Sequence, residues 1–280
     1  MLSSTLAIGR SARQAWRGSA IARAQAQRWV HEMPRLKNED AFEKTGVAGL
    51  YSADGFKTAW TEYQHRLVEE VSMRTQGTDH ETKSMFNLML STARQHSEAA
   101  LFNHASAAHN NHFFFSSLVT DGKPTEPSER LLGRIRASFN SFEEFKFHFL
   151  TTAESTFGNG YTWLIEAPNK SLLIANTYNA GTPYDYARNQ QVDLNGPISP
   201  ESVERVMEAK RKIEESPKFG LQWPLPLLAV NTWQHAYLPD YGVNGKRAFL
   251  DQWFECIDWA VVEERLFVPS QDIPRFQFTK

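Results

Sequence analysis

An asparagine and a histidine four residues apart are the side chains of this sequence best placed to do chemistry. Asn231 and His235 lie in the stretch NTWQH, and on a helical turn they would project from the same face. An acidic residue and a histidine at this spacing often hold a metal ion between them. The amide brings no charge and is a poor ligand for a hard transition-metal ion. The pair therefore leaves three interpretations: a metal site, a former metal site, or an unrelated turn of helix.

A second stretch, LFNHASAAHNNHFFFSSL, is unusually rich in histidine, asparagine and phenylalanine. The simplest interpretation of His109 and His112 in this stretch is that they are polar residues of a helix, hydrogen-bonded or exposed. The sequence contains one cysteine, Cys256. It therefore predicts neither an internal disulfide nor a cysteine-rich zinc site.

The first half of the sequence is predicted to be mostly helical. Apolar residues at helical spacing predict one helix over about 52–74 and a second over about 83–118. Two prolines and a glycine mark 121–130 as a linker. Two shorter helices are expected to follow, over 131–139 and 141–157.

The second half changes to segments with high β-propensity. The stretches 161–168 and 171–178 are short and apolar and predict a hairpin, and 226–233 predicts a third strand. A charged amphipathic helix is expected within 188–222, and a long final helix over 245–266. Helices followed by a small sheet predict an α+β chain in two lobes.

The overall composition is that of an ordinary globular protein. The apolar fraction is 41%, the charged fraction is 22%, and the formal net charge is −2 over 280 residues. The total charge therefore demands neither a nucleic-acid partner nor a membrane partner. No run of about 18 apolar residues is present, so the sequence predicts no transmembrane helix.

The first 30 residues differ from the rest of the chain. No acidic residue precedes Glu32, whereas five arginines and several serines fall in that window. A start that is Arg-rich, Ser-containing, acid-free and amphipathic is typical of a mitochondrial transit peptide, with a disordered basic tail as the alternative. We therefore expect residues 1–30 to be a transit peptide, cleaved somewhere near 25–32, on a protein of the mitochondrial matrix.

Several stretches taken together resemble the iron/manganese superoxide dismutases. HEMPRL resembles the amino-terminal motif of that family, FNHASAAHNNHFFFSSL its second metal-binding helix, and NTWQHAYLPDY its D-V-W-E-H-A-Y signature. The passage from SFNSFEEF to YTWLI and the NAGTP loop are also similar, so the resemblance covers about 31–268. It implies an α+β fold with an N-terminal helical hairpin and a C-terminal lobe that contains helices and a three-stranded antiparallel sheet.

The metal ligands of that family, three histidines and an aspartate, are mostly missing at the matching positions. A gap-free match puts Ala59 at the first histidine and either Asn111 or His112 at the second. Asn231 stands at the position of the aspartate, and His235 stands at the position of the remaining histidine, so this position still has the residue type of the family. Two neutral ligands cannot hold and tune a redox metal, so we expect no metal, no other cofactor and no enzyme activity.

The positions around this former metal site also differ from the family. Gln234 stands where the resemblance implies a glutamate that bridges two subunits, and Ala107 where it implies a glutamine that tunes the metal-bound solvent. A buried His235 needs hydrogen-bond partners, and we expect Asn231 or Gln234 to supply them.

A branch of this family in the small subunit of fungal mitochondrial ribosomes has degenerate metal sites and import leaders, and this sequence resembles it. The resemblance implies a structural protein that contacts other small-subunit proteins, and ribosomal RNA as a further contact, with no membrane and no small-molecule substrate. It also implies a heterodimer with a related dismutase-like subunit, for which the interface candidates are Tyr63, Gln234, His235 and Leu238. The alternatives are a free mitochondrial interaction or regulatory protein and an active dismutase with a remodelled site.

These expectations divide the chain into parts. Residues 1–30 are the transit peptide, 31–120 the N-terminal helical-hairpin domain, 125–268 the C-terminal α/β domain, and 269–280 a tail. The insertion at 188–222 carries interleaved acidic and basic residues. It is interpreted either as a solvated surface helix or as a contact element for a protein or RNA partner.

Overall fold

The computed structural model describes residues 30–167, 169–184 and 224–266. The predicted transit peptide up to residue 29, the predicted helix within 188–222 and the predicted tail at 269–280 lie outside the described residues.

Helices pack around a small sheet in the described part of the chain. The α-helices are α1 (Glu39–Thr45), α2 (Ala53–Phe56), α3 (Tyr63–Thr75), α4 (Met85–Thr92), α5 (Ala99–Phe115), α6 (Glu129–Phe139), α7 (Phe142–Ser155), α8 (Gln234–Tyr241), α9 (Lys246–Glu255) and α10 (Trp259–Glu264). A π-helical segment, Lys57–Glu62, joins α2 to α3, and a 3-10 turn, His96–Glu98, precedes α5. The strands are β1 (Gly160–Glu166), β2 (Leu172–Tyr178) and β3 (Leu225–Asn231). None of the described helices combines the length and apolar character needed to cross a membrane.

The first long helical segment, from α2 through α3, begins and buries one face as its sequence predicts. Ser52 caps α2, because its Oγ accepts a hydrogen bond from the backbone N–H of Gly55 (3.0 Å). In α3, Leu67 and Val71 recur at helical spacing and are buried. The predicted helix over about 52–74 is therefore confirmed.

The predicted single helix over about 83–118 is wrong in one respect, because the chain turns between α4 and α5. Gln95 has an extended backbone (φ −107°, ψ 108°), and the helices on either side of it pack against each other. Val71, Leu88 and Leu101 form a small buried cluster that joins α3, α4 and α5. The turn buries apolar side chains that one straight helix would leave in water.

The three strands form one antiparallel sheet in the order β2-β1-β3, which confirms the predicted hairpin and third strand. Every residue of the central strand β1 is buried, because helices cover both faces of the sheet. On one face, the rings of Phe113 in α5 and Trp163 in β1 lie 5.5 Å apart. On the other face, Asn176 Nδ2 in β2 donates a hydrogen bond to the Thr152 carbonyl oxygen in α7 (3.2 Å).

One hydrophobic cluster runs through both of the predicted domains. Among the helices that precede the sheet, the rings of Trp60 and Phe115 lie 5.2 Å apart. Farther along the chain, the rings of Phe149 and Trp253 stack at 5.4 Å in the same cluster. The helical region and the sheet region therefore share one core, and the junction between them is buried.

The predicted long final helix over about 245–266 is also interrupted. After α9 the chain leaves the helix, and Ile257 forms an isolated β-bridge with Leu118, just beyond α5. Asp258 then caps α10, its carboxylate accepting a hydrogen bond from the backbone N–H of Ala260 (3.1 Å). The break exchanges helical hydrogen bonds for a contact with the N-terminal region.

Gly55 offers a test of the packing between α2 and α8. The Asp240 carboxylate next to it accepts hydrogen bonds from the backbone N–H (2.9 Å) and the hydroxyl (2.5 Å) of Ser52. A Cβ at residue 55 would collide with that carboxylate. We therefore expect Gly55→Ala to lower the free energy of unfolding by about 2 kcal/mol, measured by denaturant titration.

Gly133→Ala in α6 is the matched control for this substitution. A Cβ at residue 133 meets no atom within 4 Å, and alanine is the better helix former by roughly 0.5–1 kcal/mol. The control should be neutral or stabilising, and an equal loss of stability in both variants would contradict the predicted collision.

Candidate functional site

The site predicted from the sequence lies where α3, α5 and β3 meet. Ala59 is in the π-helical segment that leads into α3, Asn111 is in α5, and Asn231 ends β3. All three residues are fully buried. Short π-helical segments recur at functional sites in proteins. The structure thus brings three of the candidate positions together at one junction between helices and sheet.

A chain of side-chain amides fills this junction. Asn231 Nδ2 donates a hydrogen bond to Asn111 Oδ1 (3.2 Å). Asn111 Nδ2 in turn donates to Gln64 Oε1 (3.1 Å) and to the carbonyl oxygen of Ala59 (3.3 Å). We refer to Gln64, Asn111 and Asn231 as the amide triad; it connects α3, α5 and β3.

Backbone groups close both ends of the amide triad. The backbone N–H of Trp233 donates to Asn231 Oδ1 (2.9 Å), and Gln64 Nε2 donates to the carbonyl oxygen of Ala108 (3.1 Å). A buried amide without partners would be strongly destabilising. Each amide of the triad instead donates and accepts within the protein, so the junction is polar but neutral and hydrogen-bonded.

Asn111, and not His112, occupies the junction, although the sequence left both residues possible at this position. The ring of His112 instead packs beside that of Trp60, with 6.0 Å between their centroids. His109, one turn earlier, is hydrogen-bonded through Nε2 to the hydroxyl of Tyr184 (2.9 Å). Burial lowers the pKa of His109 to about 4, so this imidazole is neutral near pH 7.

His235 lies beside the junction and is held by aromatic rings. Its ring centroid is 4.0 Å from that of Tyr63 and 5.5 Å from that of Trp233. The Nε2 atom is buried without a hydrogen-bond partner among the described residues, and burial lowers the pKa of His235 to about 4. The expected hydrogen bond from Asn231 or Gln234 to this nitrogen is not formed. The amide triad and its backbone cap use both ends of the Asn231 amide, and Gln234 is exposed.

The side chains at the junction do not fit an iron or manganese ion. Such ions prefer imidazole and anionic oxygen ligands, whereas Ala59 offers a methyl group and Asn111 and Asn231 offer amides whose oxygens already accept hydrogen bonds. Within the three described stretches, no three or more histidine, cysteine, aspartate or glutamate side chains are grouped closely enough to hold a metal ion. What this arrangement can do is join structural elements.

Gln64 is the member of the site that the sequence analysis missed. It is fully buried and lies on the same face of α3 as the buried residues Leu67 and Val71. A polar residue within an apolar helical stripe usually needs a buried partner. The polar residue within this apolar stripe was the sequence feature that could have identified Gln64 as part of the site.

The four predicted interface residues differ in their exposure. Gln234 is exposed, and the rings of Tyr63 and His235, which contact each other at a tilt of 39°, are half-buried. Leu238 is also half-buried, and it packs against the main hydrophobic cluster. Gln234 is therefore the most accessible of the four to a partner.

Three exposed apolar side chains surround this region, and we refer to Phe157, Tyr178 and Val243 as the apolar rim. Their side chains are 94%, 57% and 84% exposed. Hydrogen bonds link the segments that carry them: Asn159 Oδ1 accepts from the Gln234 N–H (3.2 Å), the Asn159 carbonyl oxygen accepts from the Asn179 N–H (2.9 Å), and the Thr156 carbonyl oxygen accepts from Lys246 Nζ (2.6 Å). Exposed apolar side chains gathered in one region are typical of a protein interaction surface.

A cleft of about 760 Å³ opens beside the apolar rim. Its lining includes Tyr63, Leu67, Phe102, Tyr178 and Trp233. The cleft thus connects the surface that carries Tyr178 with the aromatic rings packed around His235.

Comparisons with known proteins agree with the geometry of the fold. Residues 127–194 and 202–265 match the family model described as iron/manganese superoxide dismutases, C-terminal domain. The small ribosomal subunit protein mS43 of Schizosaccharomyces pombe is 32% identical over 243 residues, which cover 84% of this chain and 84% of that protein. The small ribosomal subunit protein mS42 of the same organism is 34% identical over 184 residues, covering 64% and 72%. An iron superoxide dismutase of Salmonella typhimurium is 27% identical over 235 residues, covering 84% and 97%.

Replacing one member of the amide triad tests its contribution to stability. Asn231→Leu keeps the number and branching of the side-chain heavy atoms but leaves Asn111 Oδ1 and the Trp233 N–H buried without partners. We expect the free energy of unfolding to fall by about 3 kcal/mol, as measured by denaturant titration. The matched control, Asn103→Leu at an exposed position of α5, should change it by less than about 0.5 kcal/mol. Similar effects of the two substitutions would contradict a structural role of the triad.

The buried histidines predict that stability falls as the pH is lowered. Because the pKa values of His109 and His235 are about 4 in the folded protein and near 6.5 in an unfolded chain, the unfolded state binds more protons between pH 6.5 and 4. We expect a loss of up to roughly 2 kcal/mol per histidine at pH 5 relative to pH 7.5. Denaturant unfolding at both pH values measures this loss.

Replacing His235 tests how much of this pH dependence of stability comes from that residue. His235→Phe should reduce the difference between pH 7.5 and pH 5, because the aromatic packing remains but the titrating group is gone. His148→Gln, at an exposed position of α7, is the control and should leave the difference unchanged. A wild-type stability that is equal at the two pH values would refute the prediction.

Proposed function

The chain belongs to the iron/manganese superoxide dismutase family, and we propose that it serves as a structural protein of the mitochondrial small ribosomal subunit. The observation that carries this proposal is the amide triad, which fills the junction at which the family resemblance implies a metal. Relatives named as small ribosomal subunit proteins cover most of the chain at 32–34% identity. Their names support the same role for this chain.

The donor atoms at the junction support a role without dismutase activity. Dismutation requires a metal that cycles between two oxidation states and ligands that tune its potential. Ala59, Asn111 and Asn231 offer neither imidazole nor carboxylate, and their polar atoms are engaged in hydrogen bonds. The 27% identity to an iron superoxide dismutase accompanies a shared fold, and a shared fold does not carry the activity with it.

A mitochondrial location is supported by the leader and by the ribosomal relatives. The acid-free, arginine-rich start of the chain has the composition of a peptide that directs import into mitochondria. We propose that the protein functions in the matrix, where mitochondrial ribosomes assemble and translate.

We propose that the chain pairs with a related dismutase-like subunit through the surface around Gln234. The apolar rim supports this, because Phe157 and Val243 are almost fully exposed and would be removed from water in a complex. The half-buried rings of Tyr63 and His235 contact each other next to Gln234 in this region. Large apolar groups at the centre of an interface usually contribute most of the binding free energy.

Protein contacts are better supported than contacts with ribosomal RNA. The net charge is −2, and several surface cations already pair with neighbouring carboxylates. These pairs include Arg66 with Glu69, Lys146 with Glu255, and Arg247 with Glu154. Phosphate binding needs cations that are free to replace condensed counterions. We therefore propose other proteins of the small subunit as the main neighbours.

Sedimentation tests the proposed function directly. Tagged protein from gently lysed mitochondria should co-migrate with the small ribosomal subunit through a sucrose gradient, at both moderate and high salt. Migration at the size of a dimer alone would refute the ribosomal role. Metal analysis of that peak would then separate an active dismutase, with bound iron or manganese, from a free interaction protein.

The apolar rim provides a test of the proposed pairing. The double variant Phe157→Ser and Val243→Ser should lower the amount of dismutase-like subunit that co-purifies by at least about tenfold, because two exposed apolar anchors are lost. Quantitative mass spectrometry of the purified complex measures this amount. Phe147→Ser is the matched control, since Phe147 is 62% exposed on α7 and lies outside the apolar rim. This substitution should leave the amount of co-purified subunit unchanged. Undiminished co-purification of the double variant would contradict an interface at the rim.

A further inference from the structure

The earliest described residues of the chain are already fixed to the folded core. His31 is 9% exposed, and its backbone N–H donates a hydrogen bond to the hydroxyl of Ser72 in α3 (3.2 Å). Its ring Nε2 lies 3.0 Å from the hydroxyl oxygen of Thr75, one turn later. The predicted transit peptide therefore ends next to a residue that is anchored at two points.

The hydrogen bonds around Thr75 accommodate His31 as a neutral imidazole. When the Thr75 hydroxyl donates to the carbonyl oxygen of Val71 (2.9 Å), its oxygen accepts a hydrogen bond from an N–H at His31 Nε2. In that arrangement Nε2 carries the imidazole proton, and in the other tautomer Nε2 accepts from the hydroxyl. Burial also lowers the pKa of His31, which favours the neutral imidazole.

The residues that follow continue the attachment. Leu36 is buried, and its backbone N–H donates to Glu39 Oε2 (3.0 Å). Asn38 Nδ2 donates to the carbonyl oxygen of Thr120 (2.7 Å). The segment from His31 to Asn38 is thus part of the fold and cannot be counted as leader.

We propose that proteolytic maturation removes a leader that ends before His31, so that His31 remains in the mature protein as its N-terminal anchor. This inference rests on the proposed mitochondrial import. A cut after His31 would remove the imidazole and leave the hydroxyls of Ser72 and Thr75 without this partner in a buried place. A cut directly before His31, or earlier, keeps both contacts, since a terminal amine can still donate to Ser72.

Mass spectrometry of the N-terminal peptide of the protein purified from mitochondria tests the cleavage position. The first residue should be His31 or an earlier one. A mature chain that begins at Glu32 or later would overturn the inference, and so would a chain that keeps its whole leader. Sedimentation tests the ribosomal role independently of the cleavage position. A failure of one proposal can therefore be distinguished from a failure of the other.

Substitutions in the full-length chain test the anchor itself. His31→Ala should lower the thermal midpoint of unfolding by on the order of 5 °C, whereas His31→Gln should recover part of the loss because its amide N–H can donate to Thr75. Glu32→Ala, at the exposed neighbouring position, is the matched control and should be near neutral. Equal midpoints for His31→Ala and Glu32→Ala would overturn the anchoring role.

Discussion

The structure depends on one constraint, which is that polar groups buried between the helices and the sheet must be hydrogen-bonded. The junction of α3, α5 and β3 is fully excluded from water, and a metal ion held there would draw these elements together through its ligands. The amide triad achieves a comparable connection with neutral groups, because each carboxamide both donates and accepts. The modest hydrogen bonds of the triad cannot match a metal in strength, but they require neither charge burial nor a supply of metal.

The side chains around the amide triad are uncharged as well. His235 is uncharged near neutral pH and lies between the rings of Tyr63 and Trp233. An amide chain beside aromatic rings adds no net charge to the core, so no counter-charge has to be buried with it. Positions at which the family resemblance implies metal ligands can then be occupied by residues that suit packing.

The sequence predicted the fold well and the site only in part. The α+β class, the hairpin and the third strand followed from periodicity, because local apolar patterns directly reflect which faces are buried. The two long helices that proved to be interrupted, near Gln95 and Ile257, follow a pattern that continues through the break. Tertiary contacts determine where those helices are interrupted, as the β-bridge between Ile257 and Leu118 illustrates. The burial of Gln64 and the exposure of Phe157 also depend on long-range packing. A pattern along the sequence carries no information about such packing.

The hydrogen bonds between Ser52 and Asp240 join residues 188 positions apart, and Cys256 reaches back to Ala48 across 208. Ribosomes synthesise a chain from its N-terminus, so α2 and the π-helical segment exist long before the residues that cover them. Closing loops of this length is slow, because much chain entropy is lost before the contact forms. The apolar side chains of the early helices therefore remain uncovered for most of synthesis, when such surfaces are prone to aggregate. In a protein built in this way, the N-terminal region becomes fully covered only after the last helices have been made.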